Sequence, residues 1–495
     1  MSGVTPQDWF LSSSETRQQP SSTSGNAVTA LVDGQAYMSR LRDELLAVSQ
    51  DGYIHFVGWR LAPTTRLLGD LPNSPSVREI LEGQLNAGVS LRALLWYVPG
   101  TVGDFGAGHG AENLEMAQIV DRGGGEVVLD DRLPGGTFAS HHQKFVVMGD
   151  SSHDVAFVGG LDVAPDRWDR PAHDEPAGRQ RELFDAWHDV QARIEGPAVG
   201  QLWDGFTERW NDPRRPNGAP FTAGNSSPAP IPVSDRPSPP GPGTCHVQVV
   251  ATYPCQTRAH SAGDRKVYPF APDGDHTYEA ALIRAIDAAE FYVYIEDQYL
   301  WPCRVVDALA RAAARDVSVI LLLTNNYDVA GLLPYHNFLR QQCIDLIRAA
   351  APDRLFTFHL RQSGQGNDDI YVHAKTMIVD DRYAVIGTAN INRRSMSTDT
   401  EIGVAIVDSV IEDAEIGGQP VQACRFARDY RMHLWREHLG STIEDPLNTD
   451  GSPRGWPAGL GQPTGHVLVH TVPQPRFCDP GFIPFVLMNP ETTCP

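Results

Sequence analysis

Hydrophobic positions along the chain follow a helix-like spacing and then strand-like runs, and this succession occurs twice. In both copies a stretch with helical spacing precedes two continuous apolar runs: residues 40–46, 53–59 and 89–96 in the first copy, and residues 281–286, 291–296 and 317–323 in the second. Apolar runs that alternate with helices are typical of buried strands in α/β proteins. We therefore predict an α/β fold with two pseudo-symmetric α-β-α halves, each with a mostly parallel sheet and outer helices.

The stretch between the two copies has a different composition. Pro, Gly, Ser and Asn dominate residues 211–244, which hold too few apolar residues for a core, so we predict a linker. The predicted organisation is a mobile Ser/Thr-rich segment (1–26), a first half (27–210), the linker (211–244), a second half (245–445) and a Gly/Pro-rich tail (446–495). An apolar cluster in the tail, residues 482–488, is expected to pack back on the body.

Two short polar strings occupy the same relative place in the two copies. Each is followed by an apolar run and a turn of small residues: His142-Gln143-Lys144 with the turn at 159–162, and His373-Ala374-Lys375 with the turn at 387–390. One such string would be a weak signal, because a lone His or Lys near a strand end is usually a surface residue without a catalytic role. The duplication predicts one active site at the interface of the two halves.

These residue types suit the cleavage of a phosphodiester. The reaction needs a nucleophile on phosphorus, an acid for the leaving oxygen and fixed positive charge over the non-bridging oxygens. Two imidazoles can divide the first two tasks, since His is neutral or cationic near neutral pH. Lys144 and Lys375 would supply the charge, and Asn390 would add neutral hydrogen bonds.

The two strings resemble the motifs of the phospholipase D superfamily, closest in pattern to the eukaryotic-type enzymes and their bacterial relatives. The resemblance covers about residues 35–440 and rests on six segments: 141–144, 159–162, 167–169, 187–189, 295–299 and 393–396. It implies that His142 is the nucleophile and forms a phosphohistidine. It also implies that His373 protonates the departing alcohol and later acts as the base.

The same resemblance implies a carboxylate, at the start of a later strand, that holds the second nitrogen of each imidazole. Asp189 opens the string 189–194 and Glu401 opens the equivalent string 401–406. We assign Asp189 to His142 and Glu401 to His373, where each would select the tautomer and raise basicity. The alternative for each is a solvated acid at a strand end.

Further residues are assigned to the substrate or to the scaffold. Contacts to phosphate or substrate are expected from Asn390, Gly160, Thr388, Arg394, Tyr299 and Trp59. Trp301 is a further aromatic candidate, and plain core packing is an equally good interpretation of each aromatic residue. Structural roles are expected for the acids of the motif segments: Asp150, Asp162, Asp169 and Asp380.

Two of these acids depart from the motif pattern. Five residues separate Lys144 from Asp150 instead of four, which predicts a bulge or a turn there. Asp162 stands where many bacterial relatives carry Asn, and a carboxylate near a phosphate is unfavourable unless it is paired. We therefore expect Asp162 to face a partner within the protein.

Charge narrows the set of partners. The formal net charge of −21 opposes long-range attraction to polyanions. No nucleic-acid partner is therefore expected, and the charge disfavours a nuclease. The expected partner is a phospholipid or a small phosphodiester, with peripheral membrane contact possible through loops around the site. The reaction as proposed needs no cofactor and no metal, and we expect a monomer.

The cellular compartment of the protein determines whether its cysteines are expected to be reduced or paired in disulfides. No run reaches the ~18 apolar residues of a membrane span, and residues 1–8 show no secretory pattern, so a cytoplasmic location is expected. Secretion is the alternative if the sequence is a mature form. The seven cysteines show no metal-binding spacing. Cys245 with Cys255, or Cys478 with Cys494, could pair under oxidising conditions, but reduced thiols are expected in a cytoplasmic chain.

Three classes of function follow. The first is a phosphodiesterase that hydrolyses phosphatidylcholine-like lipids, or transfers the phosphatidyl group to an alcohol. The second is an enzyme of the same superfamily that acts on a soluble, non-lipid phosphodiester. The third, a binding protein without catalysis, is disfavoured because both His/Lys pairs and both carboxylates are present.

Overall fold

The computed structural model describes residues 5–18, 21–69, 71, 73–97, 109–134, 139–174, 186–213, 228–259, 265–325, 333–362, 369–461 and 463–470. The helices in these ranges are α1 (Pro6–Trp9), α2 (Asp33–Ala47), α3 (Val77–Ala87), α4 (His109–Arg122), α5 (Ala198–Trp210), α6 (Thr277–Ala288), α7 (Arg304–Ala314), α8 (Leu333–Ala350) and α9 (Arg425–Leu439). Short 3-10 turns cover Pro165–Arg167, Val233–Asp235 and Pro352–Arg354, and a π-helical turn covers Arg394–Thr398.

The strands of the first half are β1 (Thr23–Val32), β2 (Tyr53–Gly58), β3 (Ser90–Trp96), β4 (Glu126–Asp130), β5 (Arg132–Pro134), β6 (Phe145–Gly149), β7 (Asp154–Gly159), β8 (Ala186–His188) and β9 (Val190–Glu195). Those of the second half are β10 (Cys245–Thr252), β11 (Thr257–Ala259), β12 (Arg265–Lys266), β13 (Tyr292–Asp297), β14 (Ser318–Leu323), β15 (Leu355–Arg361), β16 (Asp369–Val372), β17 (Thr376–Val379), β18 (Tyr383–Gly387), β19 (Glu401–Asp408), β20 (Ile411–Ile416), β21 (Gln419–Cys424) and β22 (Val467–Val469).

Each half contains one large sheet, and the two sheets have the same order of pairing. The first runs β4-β3-β2-β6-β7-β9-β1, and the second runs β15-β14-β13-β17-β18-β19-β10. The predicted α/β fold is confirmed, and the two-fold relation between the halves stays a prediction.

The sheets are mixed, which differs from the expected mostly parallel arrangement. Within these two sheets, the parallel pairs lie in two sets of three strands linked by helical crossovers, β2-β3-β4 and β13-β14-β15. The β8–β16 pair, which joins the halves, is also parallel. The remaining pairs in these two sheets are antiparallel because short turns join strands such as β6 to β7 and β17 to β18.

The two sheets face each other across a shared core and are also joined by their strands. Buried apolar residues of β6, β7, β17 and β19, with those of α5 and α9, form one cluster between the sheets. Helices α2, α3 and α4 cover the outer face of the first sheet, and α6, α7 and α8 cover that of the second. Strand β1 pairs with β10, β5 with β11 and β8 with β16, so in the described residues strand pairing crosses from one half to the other at these three places.

The segments outside the two halves contact the body of the protein. Trp9, Phe10 and Leu11 are buried, and the Trp9 ring stacks on Tyr383 at 5.5 Å, so the expectation of a mobile segment does not hold for residues 5–18. In the tail, β22 pairs with β15 and Trp456 packs on Phe358. The apolar cluster at 482–488 lies outside the described residues, and the domain boundaries stay predictions.

The cysteines differ from the expected state. Cys255 is disulfide-bonded, whereas Cys245, Cys303, Cys343 and Cys424 are free. The suggested Cys245–Cys255 pair is therefore wrong, and so is the expectation of reduced thiols for Cys255. Both members of the suggested Cys478–Cys494 pair lie outside the described residues. Across the described ranges, no helix is both long and apolar enough to cross a membrane.

Candidate active site

Both His-x-Lys strings lie just before an inner strand of their sheet. The first leads into β6 and the second into β17. In each string the lysine bends back to its own histidine: Lys144 Nζ donates to the His142 carbonyl at 3.0 Å, and Lys375 Nζ donates to the His373 carbonyl. The two motifs thus have the same local geometry, in which each ammonium is held by the backbone of its own histidine.

Backbone hydrogen bonds carry each motif into the opposite half. The His142 amide donates to the Thr400 carbonyl at 3.0 Å, and the His373 amide donates to the His188 carbonyl at 2.8 Å. Thr400 directly precedes Glu401, and His188 directly precedes Asp189. Each histidine therefore lies next to the carboxylate of the other half.

The pairs of carboxylate and histidine are crossed: each histidine is bound by the carboxylate of the other half. His142 Nδ1 lies 3.0 Å from Glu401 Oε2, and His373 Nδ1 lies 2.6 Å from Asp189 Oδ2. The expected pairs, Asp189 with His142 and Glu401 with His373, are wrong. The two carboxylates occupy equivalent positions in the repeat, so the sequence does not distinguish their partners. The backbone hydrogen bonds between the halves determine which histidine each carboxylate meets.

Burial controls the charge of these groups. It lowers the pKa of His142 and of His373 well below 6.5, and the nearby ammonium groups of Lys144 and Lys375 lower both further. Because each imidazole is also bound by the carboxylate of the other half, the two motifs form one site. Both imidazoles are therefore favoured in the neutral form before a substrate arrives.

The carboxylates and lysines are shifted as well. Burial raises the pKa of Asp189 and of Glu401 to about 7. It lowers the pKa of Lys144, and it lowers that of Lys375 to about 8 against the opposing effect of Asp189. An incoming phosphodiester anion would stabilise the cationic forms of both imidazole and ammonium.

Gly160 and Thr388, assigned to phosphate, contact the carboxylates. A Cβ at Gly160 would collide with Asp189 Oδ1, so only glycine leaves room for that carboxylate. At the equivalent place in the second half, Thr388 Oγ1 donates to Glu401 Oε2. The backbone holds both residues in the same way. Each amide N–H donates a hydrogen bond to the carbonyl of the residue after the carboxylate: Gly160 to Val190 at 3.1 Å and Thr388 to Ile402 at 3.0 Å.

Of the expected aromatic contacts, Trp59 lies at the site. Its ring is 6.3 Å from that of His142, and Lys144 Nζ lies 5.5 Å from its centroid. Tyr299 is 4% exposed and packs edge-on against Trp301, as core packing would place both.

The two polar candidates differ in their surroundings. Asn390 is 2% exposed, and its Oδ1 has no hydrogen-bond partner among the described residues. Arg394 Nε lies 3.4 Å from Asp399 Oδ2, and Asp399 Oδ1 accepts a bond from the Ser140 amide just ahead of the first motif.

The four acids given structural roles bind protein groups. Asp150 accepts from Ser152 and from the Ser49 amide, in a turn at the end of β6. Asp162 accepts from the Arg60 amide at 2.9 Å, and its other oxygen lies 3.7 Å from Lys144 Nζ. Asp169 accepts from the amides of Arg170 and Trp187. Asp380 accepts from the amides of residues 290–292, and burial raises its pKa to about 6.

Sequence reasoning missed an aromatic wall beside the second histidine. The Trp187 ring lies 4.7 Å from that of His373, and the Arg167 guanidinium lies 3.8 Å from the Trp187 centroid. Arg167 also contributes to the lowered pKa of His373. Both residues belong to segments that carried the resemblance, 167–169 and 187–189, which is the signal that could have assigned them.

Comparison with known proteins finds similarity to phospholipases D. A family described as "Cardiolipin synthase, PLD-like domain" matches residues 282–415. Phospholipase D beta 1 of Arabidopsis thaliana is 25% identical over 79% of this chain and 47% of its own length. Phospholipase D zeta 1 of the same plant is 30% identical over 44% of this chain and 24% of its own length.

The chain thus spans about half or less of the length of these curated relatives. Among solved structures, phosphatidylserine synthase of Haemophilus influenzae Rd KW20 aligns over 77% of this chain and 82% of its own, with a TM-score of 0.49 and 14% identity. The chain is thus similar to phospholipases D over most of its length, and its second half matches a PLD-like domain.

Proposed function

We propose that the chain is a phosphodiesterase of the phospholipase D type, which hydrolyses a phospholipid or transfers its phosphatidyl group through a covalent phosphohistidine. The crossed pairs, His142 with Glu401 and His373 with Asp189, carry this proposal. Each imidazole has its Nδ1 held by a buried carboxylate, which leaves Nε2 for chemistry. Two such groups with two ammonium ions match the needs of a double displacement at phosphorus.

In the first step His142 Nε2 attacks phosphorus, and a P–N bond forms as the P–O bond to the alcohol breaks. Glu401 accepts the bond from His142 Nδ1 and stabilises the positive charge that develops on the ring. His373, protonated in the substrate complex, gives its Nε2 proton to the leaving alkoxide. Lys144 and Lys375 stabilise the charge on the non-bridging oxygens.

In the second step His373 acts as the base. It removes a proton from water or from an acceptor alcohol, the new P–O bond forms and the P–N bond to His142 breaks. Neutral His373 is the form that this step needs, and the lowered pKa of its imidazole favours that form. The products are phosphatidic acid with water, or a new phosphodiester with an alcohol.

The proposed substrate is a phospholipid because the curated relatives are named phospholipases D. The net charge of −21 favours the second candidate, a soluble phosphodiester, since it opposes approach to an anionic membrane. Peripheral contact with a zwitterionic surface and a monomeric state complete the proposal. The disulfide at Cys255 supports an oxidising compartment over the expected cytoplasm.

A ³¹P NMR assay with a panel of substrates tests the proposal. Phosphatidylcholine in mixed micelles should yield phosphatidic acid, and added ethanol should divert the product to phosphatidylethanol. Lys144→Met should abolish both products, whereas His433→Gln, an exposed change on α9, should preserve them. Turnover of soluble phosphodiesters alone would favour the second candidate. No turnover of any phosphodiester by the folded protein would contradict the assignment.

A further inference from the structure

A cluster of histidines and carboxylates lies in the interior behind Asp189. Three imidazoles in it each have one nitrogen held by a carboxylate: His173 Nδ1 is 3.0 Å from Asp169, and His188 Nε2 and His438 Nε2 are each 2.9 Å from Glu296. A carboxylate on the outer nitrogen fixes the ring and makes its inner nitrogen a stronger donor to a cation.

The inner nitrogens converge on two further carboxylates. His188 Nδ1 lies 3.0 Å from Asp33 Oδ1 and 3.1 Å from Glu437 Oε1. His173 Nε2 lies 3.8 Å from Asp33 Oδ2 and 3.6 Å from Glu437 Oε1. The ligand atoms of an ion bound tetrahedrally at 2.0–2.2 Å are about 3.3–3.6 Å apart. The observed separations bracket that spacing, and those of His173 are too long for hydrogen bonds.

Several atoms at the centre are buried without hydrogen bonds of suitable geometry. They are Asp33 Oδ2, His173 Nε2 and both carboxylate oxygens of Glu437, as judged against the described part of the chain. The side chains of Asp33, His173 and Glu437 are 0%, 1% and 3% exposed. Buried polar atoms of this kind require an explanation, because a buried polar atom without a hydrogen bond destabilises the fold, and a charged one does so more strongly.

We propose that Asp33, His173, His188 and Glu437 bind a divalent transition-metal ion, with Zn²⁺ as the best match. Two imidazoles and two carboxylates are ligands that Zn²⁺ accepts, and the four donor atoms lie within 4.8 Å of one another. With neutral imidazoles, the two ligand carboxylates balance the charge of the ion. His438, whose Nδ1 lies 3.8 Å from Glu437 Oε1, flanks the site.

The ion would have a structural role and lies outside the phosphate site. Its ligands come from the first residue of α2, the turn after residues 165–167, strand β8 and the last turn of α9, so it would tie the two halves together. His188 directly precedes Asp189, so the ion would also support the carboxylate that orients His373. This inference does not rest on the proposed function, because neither the ligand set nor its geometry depends on the reaction.

An imidazolium network is the competing account. Burial opposes a charge on His173, but the neighbouring carboxylates, Asp33 first, raise the pKa of its imidazole to about 10 in the absence of an ion. A protonated ring could then occupy the place of the cation. The two accounts differ in metal content, which can be measured directly.

The test is elemental analysis of the full chain, purified without chelators from zinc-supplemented culture. Wild type should retain about one Zn²⁺ per chain after dialysis. His173→Gln and Glu437→Gln should lose the ion, whereas His433→Gln, exposed on the same helix as Glu437, should retain it. Protein grown with Co²⁺ should show visible absorption bands that His173→Gln lacks.

Two results would overturn the proposal. Wild type that holds no transition metal, and whose Tm does not change with EDTA or added Zn²⁺, would establish the imidazolium network. Metal retained equally by wild type and His173→Gln would place the ion elsewhere. If neither variant folds, the metal content and cobalt spectrum of wild type still decide, because bands of a site with only oxygen ligands would exclude the imidazoles.

Discussion

Replacement of the two carboxylates by amides should affect different steps of the reaction, because each holds a different histidine. Asp189→Asn removes the acceptor 2.6 Å from His373 Nδ1, and thereby impairs the proposed acid. Glu401→Gln removes the acceptor 3.0 Å from His142 Nδ1, and thereby impairs the proposed nucleophile. The sensitivity of the first step to the leaving group separates the two, since a good leaving group needs little help from an acid.

The magnitude follows from the lost hydrogen bond. A bond to a charged group contributes about 1.5–3 kcal/mol, which is about 10- to 150-fold in rate at 1.36 kcal/mol per factor of ten. An amide can also hold the wrong tautomer, and the corresponding change in a serine protease triad costs roughly 10⁴. We therefore expect a loss of about 10²- to 10⁴-fold in the affected step, with the fold retained.

Rapid-quench measurement of alcohol release is the assay. With a choline ester, Asp189→Asn should slow the first turnover by that factor; with a p-nitrophenyl ester, it should slow it by less than about tenfold. Glu401→Gln should slow the first turnover of both esters. Asp150→Asn, in the turn after β6, is the control and should be close to wild type. Leaving-group dependence in Glu401→Gln and none in Asp189→Asn would refute the crossed assignment.

Further predictions concern charge, space and packing. The alkaline limb of the kcat/KM profile for a soluble ester should have a component near pH 8, because the Lys375 ammonium, with its pKa lowered to about 8, loses its charge as the pH rises. Lys375→Arg should remove that component, because the guanidinium stays charged. An alkaline limb unchanged in Lys375→Arg would contradict the assignment of that component to Lys375. Gly160→Ala should lower kcat at least tenfold by displacing Asp189, whereas Gly83→Ala, with open space around it, should not; equal rates would show that the carboxylate can move. Arg431→Met should lower the free energy of unfolding by about 3–5 kcal/mol in urea titrations, because it breaks a buried two-pronged ion pair; a loss under 1 kcal/mol would show that the charge left behind is solvated.

The hydrophobic pattern predicted the α/β class because helix-like and strand-like stretches alternate in both copies. It did not predict the mixed sheets. The apolar runs at 145–148 and 376–379 indicate buried strands but not whether these strands are parallel or antiparallel to their neighbours. That relative direction depends on the length of the connections between the strands. A run of buried residues therefore indicates a strand, whereas the pairing of that strand depends on its neighbours.

The motifs predicted which residues meet at the site, but not their partners. His142 and His373 follow from the duplication alone. The repeat makes Asp189 and Glu401 interchangeable in sequence, and the cross-half bonds to Thr400 and His188 decide between them. The buried cluster around Glu437 was missed for a similar reason, since its members lie far apart along the chain and show no metal-binding spacing.

The covalent intermediate tests the central claim most directly. A rapid acid-free quench of the reaction with a ³²P-labelled phosphodiester, followed by peptide mapping by mass spectrometry, would locate the phosphoryl group. The account predicts an adduct on His142, its absence in His142→Ala, and its accumulation in His373→Asn with a p-nitrophenyl ester, because the second step then lacks its base. An adduct on His373, or turnover by His142→Ala at the wild-type rate, would contradict it.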